Sequence, residues 1–275
     1  MNGDEVFERL STPQKLSKAV ILNPLVNYVL PRSVLKHLLH KSGSPLAVSS
    51  MEEPGGWRSM VIAYENAEPI NLIDRMVMRM SSFPMGLRNR KRLSVKILRE
   101  LMDQRREPTN LVAIGAGAAH NVQESMHLCV HNGISAYCID LNPDAFELGR
   151  RKAESLGLSD RVHFIHGNAL DIRKLVRVTP HLVVCIGILE YLTDEQIIDI
   201  FKVMNEASPK DAFLLANSIS KAHGTDRFLR RVFNLHLHYR SQERVEELMV
   251  SAGYKPFRKE REPMGIYSIV VARKG

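Results

Sequence analysis

The amino-acid sequence predicts an α/β fold: a mainly parallel, seven-stranded sheet with helices on both faces, preceded by an α-helical N-terminal extension. From Asn110 onward, short apolar runs alternate with segments whose apolar residues recur at helical spacing, which is typical of a parallel sheet and its connecting helices. Before Asn110 only the helical spacing occurs, and prolines interrupt it repeatedly. We therefore predict two parts, a helical region at residues 1–109 and a sheet domain at residues 110–275.

The N-terminal region is predicted to consist of short helices without a catalytic signature of their own. Apolar residues at helical spacing mark these helices, which we place at Val6–Leu10, Leu16–Ile21, Leu25–Leu39, Ile70–Met80 and Lys91–Met102. We expect this region to cover the active-site side of the sheet.

The C-terminal part is predicted to alternate between strands and helices. The strands share a short apolar run bounded by turn residues, and we place them at Leu111–Ala116, Ala136–Leu141, Val162–His166, Leu182–Ile188, Ala212–Ser218, Lys255–Glu260 and Ile266–Ala272. The helices share an apolar period of about 3.6 residues, at Ala119–His131, Pro143–Leu156, Asp171–Val178, Asp194–Ala207 and Gln242–Ala252. Thr193 and Gln196 form a predicted capping box, and the turn Glu262-Pro-Met-Gly265 predicts a terminal antiparallel hairpin.

Composition places few limits on the function. The chain of 275 residues is 44% hydrophobic and carries 38 Lys+Arg against 30 Asp+Glu, an excess that suits anionic partners but equally serves solubility. Cys129, Cys138 and Cys185 lie in apolar stretches without metal-type spacing, so we expect reduced, buried thiols. No apolar run reaches the roughly 20 residues of a membrane span, and no leader pattern opens the sequence, so we expect a soluble, cytoplasmic protein.

A glycine turn and a carboxylate point to a nucleoside-containing cofactor. The apolar run from Leu111 ends in Gly115-x-Gly117, and the next apolar run ends at Asp140. A glycine turn after a strand lets a ligand approach the backbone, and a carboxylate at the end of the next strand can accept two ribose hydroxyls. The third glycine of the dinucleotide fingerprint is replaced by His120, and no Gly-Lys-Ser/Thr of a P-loop follows.

Four segments in order resemble the class I S-adenosylmethionine-dependent methyltransferases, which have a Rossmann-like fold. They are Val112-Ala-Ile-Gly-Ala-Gly117, Asp140, Gly167-Asn-Ala169 and Cys185-Ile-Gly-Ile-Leu-Glu-Tyr191, and the resemblance covers the chain from about residue 110. It implies that S-adenosylmethionine is bound by the glycine loop, by the ribose carboxylate and its neighbour, by the adenine segment and by the fourth-strand exit. The residues concerned are Gly115, Ala116, Gly117, Asp140, Leu141, Asn168, Ala169, Ile186 and Gly187. Pro84–Arg92 also resembles a loosely characterised methyltransferase group.

Two positions depart from the family pattern. Ala113 stands where the family usually has an acidic residue that helps to hold the amino group of the cofactor, and Ala119 stands where a further glycine is frequent. A similar loss occurs in nicotianamine-synthase-like enzymes, which transfer the aminocarboxypropyl group of the same cofactor. That reaction remains an alternative to methyl transfer.

The resemblance gives no fixed catalytic motif, because methyl transfer mainly requires a positioned nucleophile and sometimes a base. Candidate catalytic residues are Tyr191, His223 and His236, with His238 as a further candidate; the alternative is a packed tyrosine and surface or capping histidines. Candidate substrate ligands are Arg88, Glu190, Tyr191, Asn217 and Tyr239. Arg88 opens the run Arg88-Asn-Arg-Lys-Arg92, which could bind an anionic substrate or simply be a solvated helix start.

Metal and nucleic-acid sites are less favoured. His120, His127 and His131 share a helical face, but no carboxylate or thiolate follows at ligand spacing, so we predict no metal site. The basic run contains no aromatic residue, which makes RNA binding a less favoured interpretation.

We therefore predict methyl transfer to a nitrogen or oxygen of a small molecule. An RNA-binding methyltransferase or a catalytically silent cofactor-binding module are alternatives, and the sequence leaves the oligomeric state open.

Overall fold

The structure is a computed structural model that describes residues 6–105, 107–130 and 133–275. Within these ranges seven strands form one sheet in the order β3-β2-β1-β4-β5-β7-β6. In chain order the strands are β1 (Thr109–Ile114), β2 (Ile134–Asp140), β3 (Val162–His166), β4 (Leu182–Cys185), β5 (Phe213–Ile219), β6 (Tyr254–Arg261) and β7 (Tyr267–Lys274). The predicted α/β fold is confirmed.

Strands β1 to β5 pair in parallel, with β1 between β2 and β4. The switch in strand order therefore lies beside β1, because the chain runs outward from β1 to β3 and then returns to start β4 on the other side. In open α/β sheets ligands bind at the carboxyl ends of the strands at such a switch point. The turn after β6 brings β7 back between β5 and β6 as the predicted hairpin, where the Glu262 N–H donates to the Tyr267 carbonyl.

The helices differ in detail from the predicted ones. In chain order they are α1 (Thr12–Ser17), α2 (Arg32–Ser42), α3 (Pro45–Glu52), α4 (Trp57–Glu65), α5 (Leu72–Arg75), α6 (Ser82–Asp103), α7 (His120–Leu128), α8 (Phe146–Ser155), α9 (Ile172–Leu175), α10 (Asp194–Ala207), α11 (Asp226–Phe233) and α12 (Gln242–Ser251). Helix α10 has the predicted bounds and the predicted capping box from Thr193 to Gln196. Pro143–Ala145 is a 3₁₀ turn before α8, and the predicted end of α7 at His131 lies outside the described residues.

The chain divides into two compact units, and their boundaries differ from the predicted break at residue 109. The sheet unit comprises Arg92–Ile219, His238–Glu260 and Ser268–Gly275, and the helical unit comprises the residues up to Lys91 together with Ser220–Leu237 and Arg261–Tyr267. The division falls inside α6, which is one continuous helix and therefore gives no break in the sequence pattern. No helix in the described ranges combines the length and apolar character needed to cross a membrane.

The sheet unit has a core on both faces of its central strands. All four residues of β4 are buried, and successive side chains of a strand point to opposite faces. One face packs with α10 and α12 in a cluster that includes Val183, Phe201 and Leu248. Cys138 and Cys185 are buried, free thiols as predicted, whereas Cys129 is only half-buried.

The helical unit has a core of its own, in which α2 and α3 pack with α11. Leu35, Leu39 and Ala47 contact Leu229 and Phe233 in this cluster. Parts of the helices predicted at Leu16–Ile21, Leu25–Leu39 and Ile70–Met80 are π-helical rather than α-helical. The π-helical stretches are Lys18–Leu22, Leu25–Val29 and Met76–Met80.

The predicted helix at Val6–Leu10 is wrong. This segment is not helical, because the side chain of Asn89 satisfies both backbone groups of Glu8.

Candidate cofactor-binding site

The glycine loop turns sharply as it leaves β1. Gly115 and Gly117 have φ angles of 61° and 52°, in the left-handed region that favours glycine. A Cβ on Gly115 would lie 2.8 Å from Cδ1 of Ile188, so only glycine lets the loop approach the exit of β4 this closely. The Ala116 N–H donates to the carbonyl of Ile139 at 3.2 Å, which fixes the loop against β2.

Ala119 also adopts the left-handed conformation, with φ 54° and ψ 32°. An alanine in this region costs roughly 1–2 kcal/mol relative to its usual conformations. Glycine would adopt this conformation without that cost, so Ala119 holds a strained backbone conformation just before α7.

Asp140 joins the glycine loop to the end of β2. Its Oδ2 accepts a hydrogen bond from the Gly117 N–H at 2.7 Å, and its Oδ1 accepts one from the Asn142 N–H at 2.9 Å. An ionised carboxylate has about four lone-pair sites, so two backbone donors leave room for further donors such as hydroxyls. The Asp140 carbonyl in turn accepts from the Gly167 N–H at 3.0 Å, which ties the end of β3 to the same place.

Exposed apolar side chains follow the neighbouring strands β2 and β3. Leu141 is 68% exposed and Leu170 is 46% exposed, which is unusual for leucines beside a sheet. The Asn168 Oδ1 accepts from the Leu170 N–H at 3.0 Å, so the Asn168 side chain stabilises the turn after β3, while Ala169 is buried. These residues offer an apolar surface near a carboxylate.

The exit of β4 is held by Asn217 at the end of β5. The Asn217 Oδ1 accepts from the Gly187 N–H at 2.7 Å, and its Nδ2 donates to Glu190 Oε1 at 3.0 Å. Gly187 has a φ of 85°, and Asn217 is only 1% exposed. Asn217 is therefore placed to shape this turn rather than to reach a substrate.

Glu190 is buried rather than solvated, and Tyr191 is accessible rather than packed in the core. Glu190 is 3% exposed and Tyr191 is 42% exposed. The Glu190 carbonyl also accepts from the His238 N–H at 2.9 Å. Tyr191 is thus the accessible member of the pair, on the turn that follows the half-buried Ile186 and Gly187.

Arg240 also holds the turn that follows β4, and this role was not predicted from the sequence. Its guanidinium donates to the carbonyls of Leu189 and Leu192 at 2.7 Å each and to Asp194 Oδ1 at 2.6 Å. The side chain is 8% exposed. Tyr239, immediately before it, is half-buried.

The remaining candidate bases lie in different surroundings. His223, in the helical unit, is 1% exposed, and its Nδ1 contacts the Thr225 hydroxyl at 3.0 Å. Burial lowers the pKa of His223 to about 4, so the ring is neutral near pH 7. This buried ring is a poor candidate base. His236 and His238 are exposed, and His236 contacts the Asn234 side chain.

Arg88 is neither a solvated helix start nor an available anion ligand. It lies within α6 at 3% exposure, and its Nε and Nη2 donate to the Glu8 carboxylate at 2.6 and 2.7 Å. Nη2 also donates to the Met78 carbonyl. The predicted role in binding an anionic substrate is corrected to an ion pair inside the helical unit, because Glu8 already neutralises the charge.

No group of three His, Cys, Asp or Glu side chains suited to a metal occurs in the described part of the chain. Of the three histidines considered, His131 lies outside that part.

The family assignment follows from a sequence comparison. A family model described as "Putative methyltransferase" matches residues 64–274, well over half of the chain. The chain belongs to this methyltransferase family. No functionally curated protein matches this methyltransferase in sequence.

Solved structures share the fold of this methyltransferase at low sequence identity. Magnesium protoporphyrin IX methyltransferase from Synechocystis, solved with bound SAH, has a TM-score of 0.60 and 10% identity, covering 89% of this chain and 99% of its own. The N,N-8-amino-8-demethyl-D-riboflavin dimethyltransferase from Streptomyces davawensis has a TM-score of 0.56 and 15% identity, covering 93% and 77%. A "possible exported protein" from Bordetella parapertussis has a TM-score of 0.60 and 13% identity, covering 89% and 97%. At these identities the likeness establishes the fold alone.

Proposed function

We propose that this methyltransferase uses S-adenosylmethionine and transfers its methyl group to a nitrogen or oxygen of a small molecule. One observation carries the proposal. The Asp140 carboxylate, at the end of β2, accepts from the Gly117 N–H at 2.7 Å, so the glycine loop and the carboxylate form one rigid corner at the strand ends beside β1. The dimethyltransferase and the SAH-bound methyltransferase that share the fold support the same chemistry.

The residues of this corner fit the cofactor. Gly115 and Gly117 give the loop its sharp turn after β1, and a loop without side chains at these two positions exposes backbone N–H groups to a ligand. Asp140 keeps lone pairs for two ribose hydroxyls beside its two backbone donors. Leu141 and Leu170 expose apolar surface, which an adenine ring would cover.

The bound cofactor supplies an electrophilic methyl group on a sulfonium, whose leaving group needs no proton. The chain therefore has to hold a nucleophile in line and exclude water rather than activate a leaving group. Tyr191 is the exposed side chain at the β4 exit that could orient the acceptor or take its proton. Asn217 and Arg240 hold the turn that carries it.

Aminocarboxypropyl transfer is the second candidate, and Ala113 is the observation that favours it. Ala113 is 2% exposed in β1 and offers no charge to the amino group of the cofactor. A methionine moiety that is held without this carboxylate could expose a different carbon of the sulfonium to the nucleophile. The two reactions leave different products, S-adenosylhomocysteine after methyl transfer and methylthioadenosine after aminocarboxypropyl transfer.

The test combines binding and product analysis. Titration calorimetry with S-adenosylmethionine should give a dissociation constant that Asp140→Ala weakens by about tenfold to a hundredfold, because two hydroxyl contacts are lost. Asp144→Ala is the matched control, since Asp144 is an exposed carboxylate in the next turn and should leave the affinity unchanged. Equal affinities of the wild type and Asp140→Ala would refute the assigned site. Methylthioadenosine as the product would replace methyl transfer by the second candidate.

A further inference from the structure

The helical unit contains an apolar cavity formed entirely by its own residues. The cavity has a volume of about 80 Å³ and is lined by α3, α4, the start of α6 and α11, with Leu46, Met60, Val77, Phe83, Phe228 and Phe233 among the lining side chains. A single water needs about 10–15 Å³, so the space could hold several waters, but a cavity with apolar walls stays dry and takes apolar ligands instead. A group bound there would gain contacts with the apolar side chains of the wall.

The cavity wall contains four hydroxyl side chains, and three of them, Ser50, Ser59 and Thr225, contact another polar side chain; the fourth is Ser81. The Ser50 and Ser59 hydroxyls contact each other at 3.3 Å, and Ser59 donates to Ser49 at 3.2 Å. The Thr225 hydroxyl contacts His223 Nδ1 at 3.0 Å. These groups therefore present little demand for a ligand with many hydrogen-bonding groups.

The wall also carries no charge that would select an ion. Among the described residues, those that line the cavity include no Asp, Glu, Lys or Arg. His223, behind Thr225, is itself buried. A carboxylate or an ammonium group in such a space would lose its hydration without gaining a charged partner, which disfavours binding of an ion. Phe228 and Phe233 meet edge to face at a centroid distance of 5.3 Å and offer apolar ring surface.

We propose that this cavity binds an uncharged small molecule through its apolar body. The half-buried Met60, whose Sδ accepts from Arg90 Nη2 at 3.8 Å, lines one side of the site with a flexible thioether chain. This binding site goes beyond the proposed methyl transfer and does not depend on the cofactor.

Trp57 provides a direct readout. It is the only tryptophan of the chain and the first residue of α4, the helix that supplies Ser59 and Met60 to the cavity wall. Titration of the full-length protein with 1-hexanol should change the Trp57 fluorescence saturably and raise the melting temperature, because the ligand binds only the folded state. Hexanoate has a chain of the same length with a charged end, and its affinity should be lower than that of 1-hexanol by about tenfold or more.

Two substitutions change the cavity in opposite directions. Val77→Phe fills the space and should weaken 1-hexanol binding by about tenfold or more, whereas Met60→Ala enlarges it and should retain or strengthen binding. Val34→Phe is the matched control, because Val34 is an exposed valine of the same unit, 41% accessible on α2, and does not line the cavity. Met60→Ala and hexanoate keep the test valid if Val77→Phe does not fold.

The outcomes separate this site from the cofactor site. Binding of 1-hexanol that survives Asp140→Ala, while Val77→Phe leaves the affinity for S-adenosylmethionine unchanged, supports two distinct sites. Loss of cofactor binding with retained 1-hexanol binding would remove only the proposed function. The cavity proposal is overturned by the absence of saturable 1-hexanol binding, by equal binding of hexanoate, or by an unchanged affinity in Val77→Phe.

Discussion

The side-chain amide of Asn217 donates to the Glu190 carboxylate across 3.0 Å, and both side chains are almost fully buried. Asn217 also accepts from the Gly187 N–H, so one residue of β5 fixes two points of the turn that follows β4. The accessible Tyr191 lies on that turn. The position of the exposed ring is therefore set by an amide that a substrate does not need to touch.

Replacing Asn217 should strongly lower the stability of the protein, because its side chain makes two hydrogen bonds in this turn. Asn217→Ala leaves the Gly187 N–H and the Glu190 carboxylate without this partner, and we expect a loss of about 2–4 kcal/mol in the free energy of unfolding. Urea unfolding measures it. Asn205→Ala is a control with an amide on α10 of the same unit and should cost less. Equal costs would contradict a special role for the Asn217 amide.

Arg240 and Arg244 form a matched pair for testing how the turn is held. Both bind Asp194, but only Arg240 also donates to the Leu189 and Leu192 carbonyls, and it is 8% exposed where Arg244 is 48% exposed. Arg240→Met should destabilise by about 3–5 kcal/mol, and Arg244→Met by about 0–1 kcal/mol. In assays below the melting temperature, Arg240→Met should lower kcat more than it weakens the affinity for S-adenosylmethionine. A similar stability cost for both variants would show that the carbonyl contacts contribute little.

His223 should make the stability depend on pH. Burial lowers the pKa of the folded-state ring from 6.5 to about 4, so the unfolded chain binds a proton on this ring at pH values where the folded protein does not. The free energy of unfolding should therefore fall as the pH drops through about 6.5, by about 2 kcal/mol at about pH 5 from this group alone.

Denaturant unfolding at about pH 7 and about pH 5 measures that effect. His223→Phe should remove this part of the pH dependence, and the exposed His236→Phe is the control that should retain it. An unchanged slope in His223→Phe would mean that the ring accepts its proton in the folded state.

Ala113→Asp introduces the carboxylate that the resemblance to class I methyltransferases leads us to expect before the glycine loop. Ala113 is 2% exposed, so an added aspartate should destabilise the protein without cofactor by about 1–3 kcal/mol. If the amino group of S-adenosylmethionine reaches this position, bound cofactor should restore the stability that the variant lost. The variant should then bind the cofactor more tightly than the wild type does. Thermal shift with and without cofactor measures both effects, and a variant whose melting temperature does not respond to cofactor would exclude that arrangement.

Local patterns predicted the sheet and the corner of the proposed cofactor site. Helix α10 has the bounds that its capping box and apolar period predicted, and Asp140 lies at the strand end beside Gly117. These features depend on neighbours in sequence or on the regular order of a parallel sheet, so a single sequence contains them.

Contacts between distant residues were not predictable in the same way. The pair of Arg88 with Glu8 joins residues 80 positions apart, and the contact of Arg240 with Leu189 spans 51 positions. The local sequence around Arg88 and around Arg240 looks the same as the sequence around an arginine on a solvated surface. The π-helical turns were also missed, because their apolar spacing resembles that of an α-helix over so few residues.

The discontinuous helical unit constrains the order in which the protein can fold during its synthesis. Leu39 on α2 packs in one cluster with Leu229 on α11, 190 positions later in the chain. At about 5–20 residues per second, synthesis of this stretch takes roughly 10–40 s. The contacts that α2 and α3 make with α11 can therefore form only after the strands from β1 to β5 have been synthesised, so the core of the helical unit is completed late.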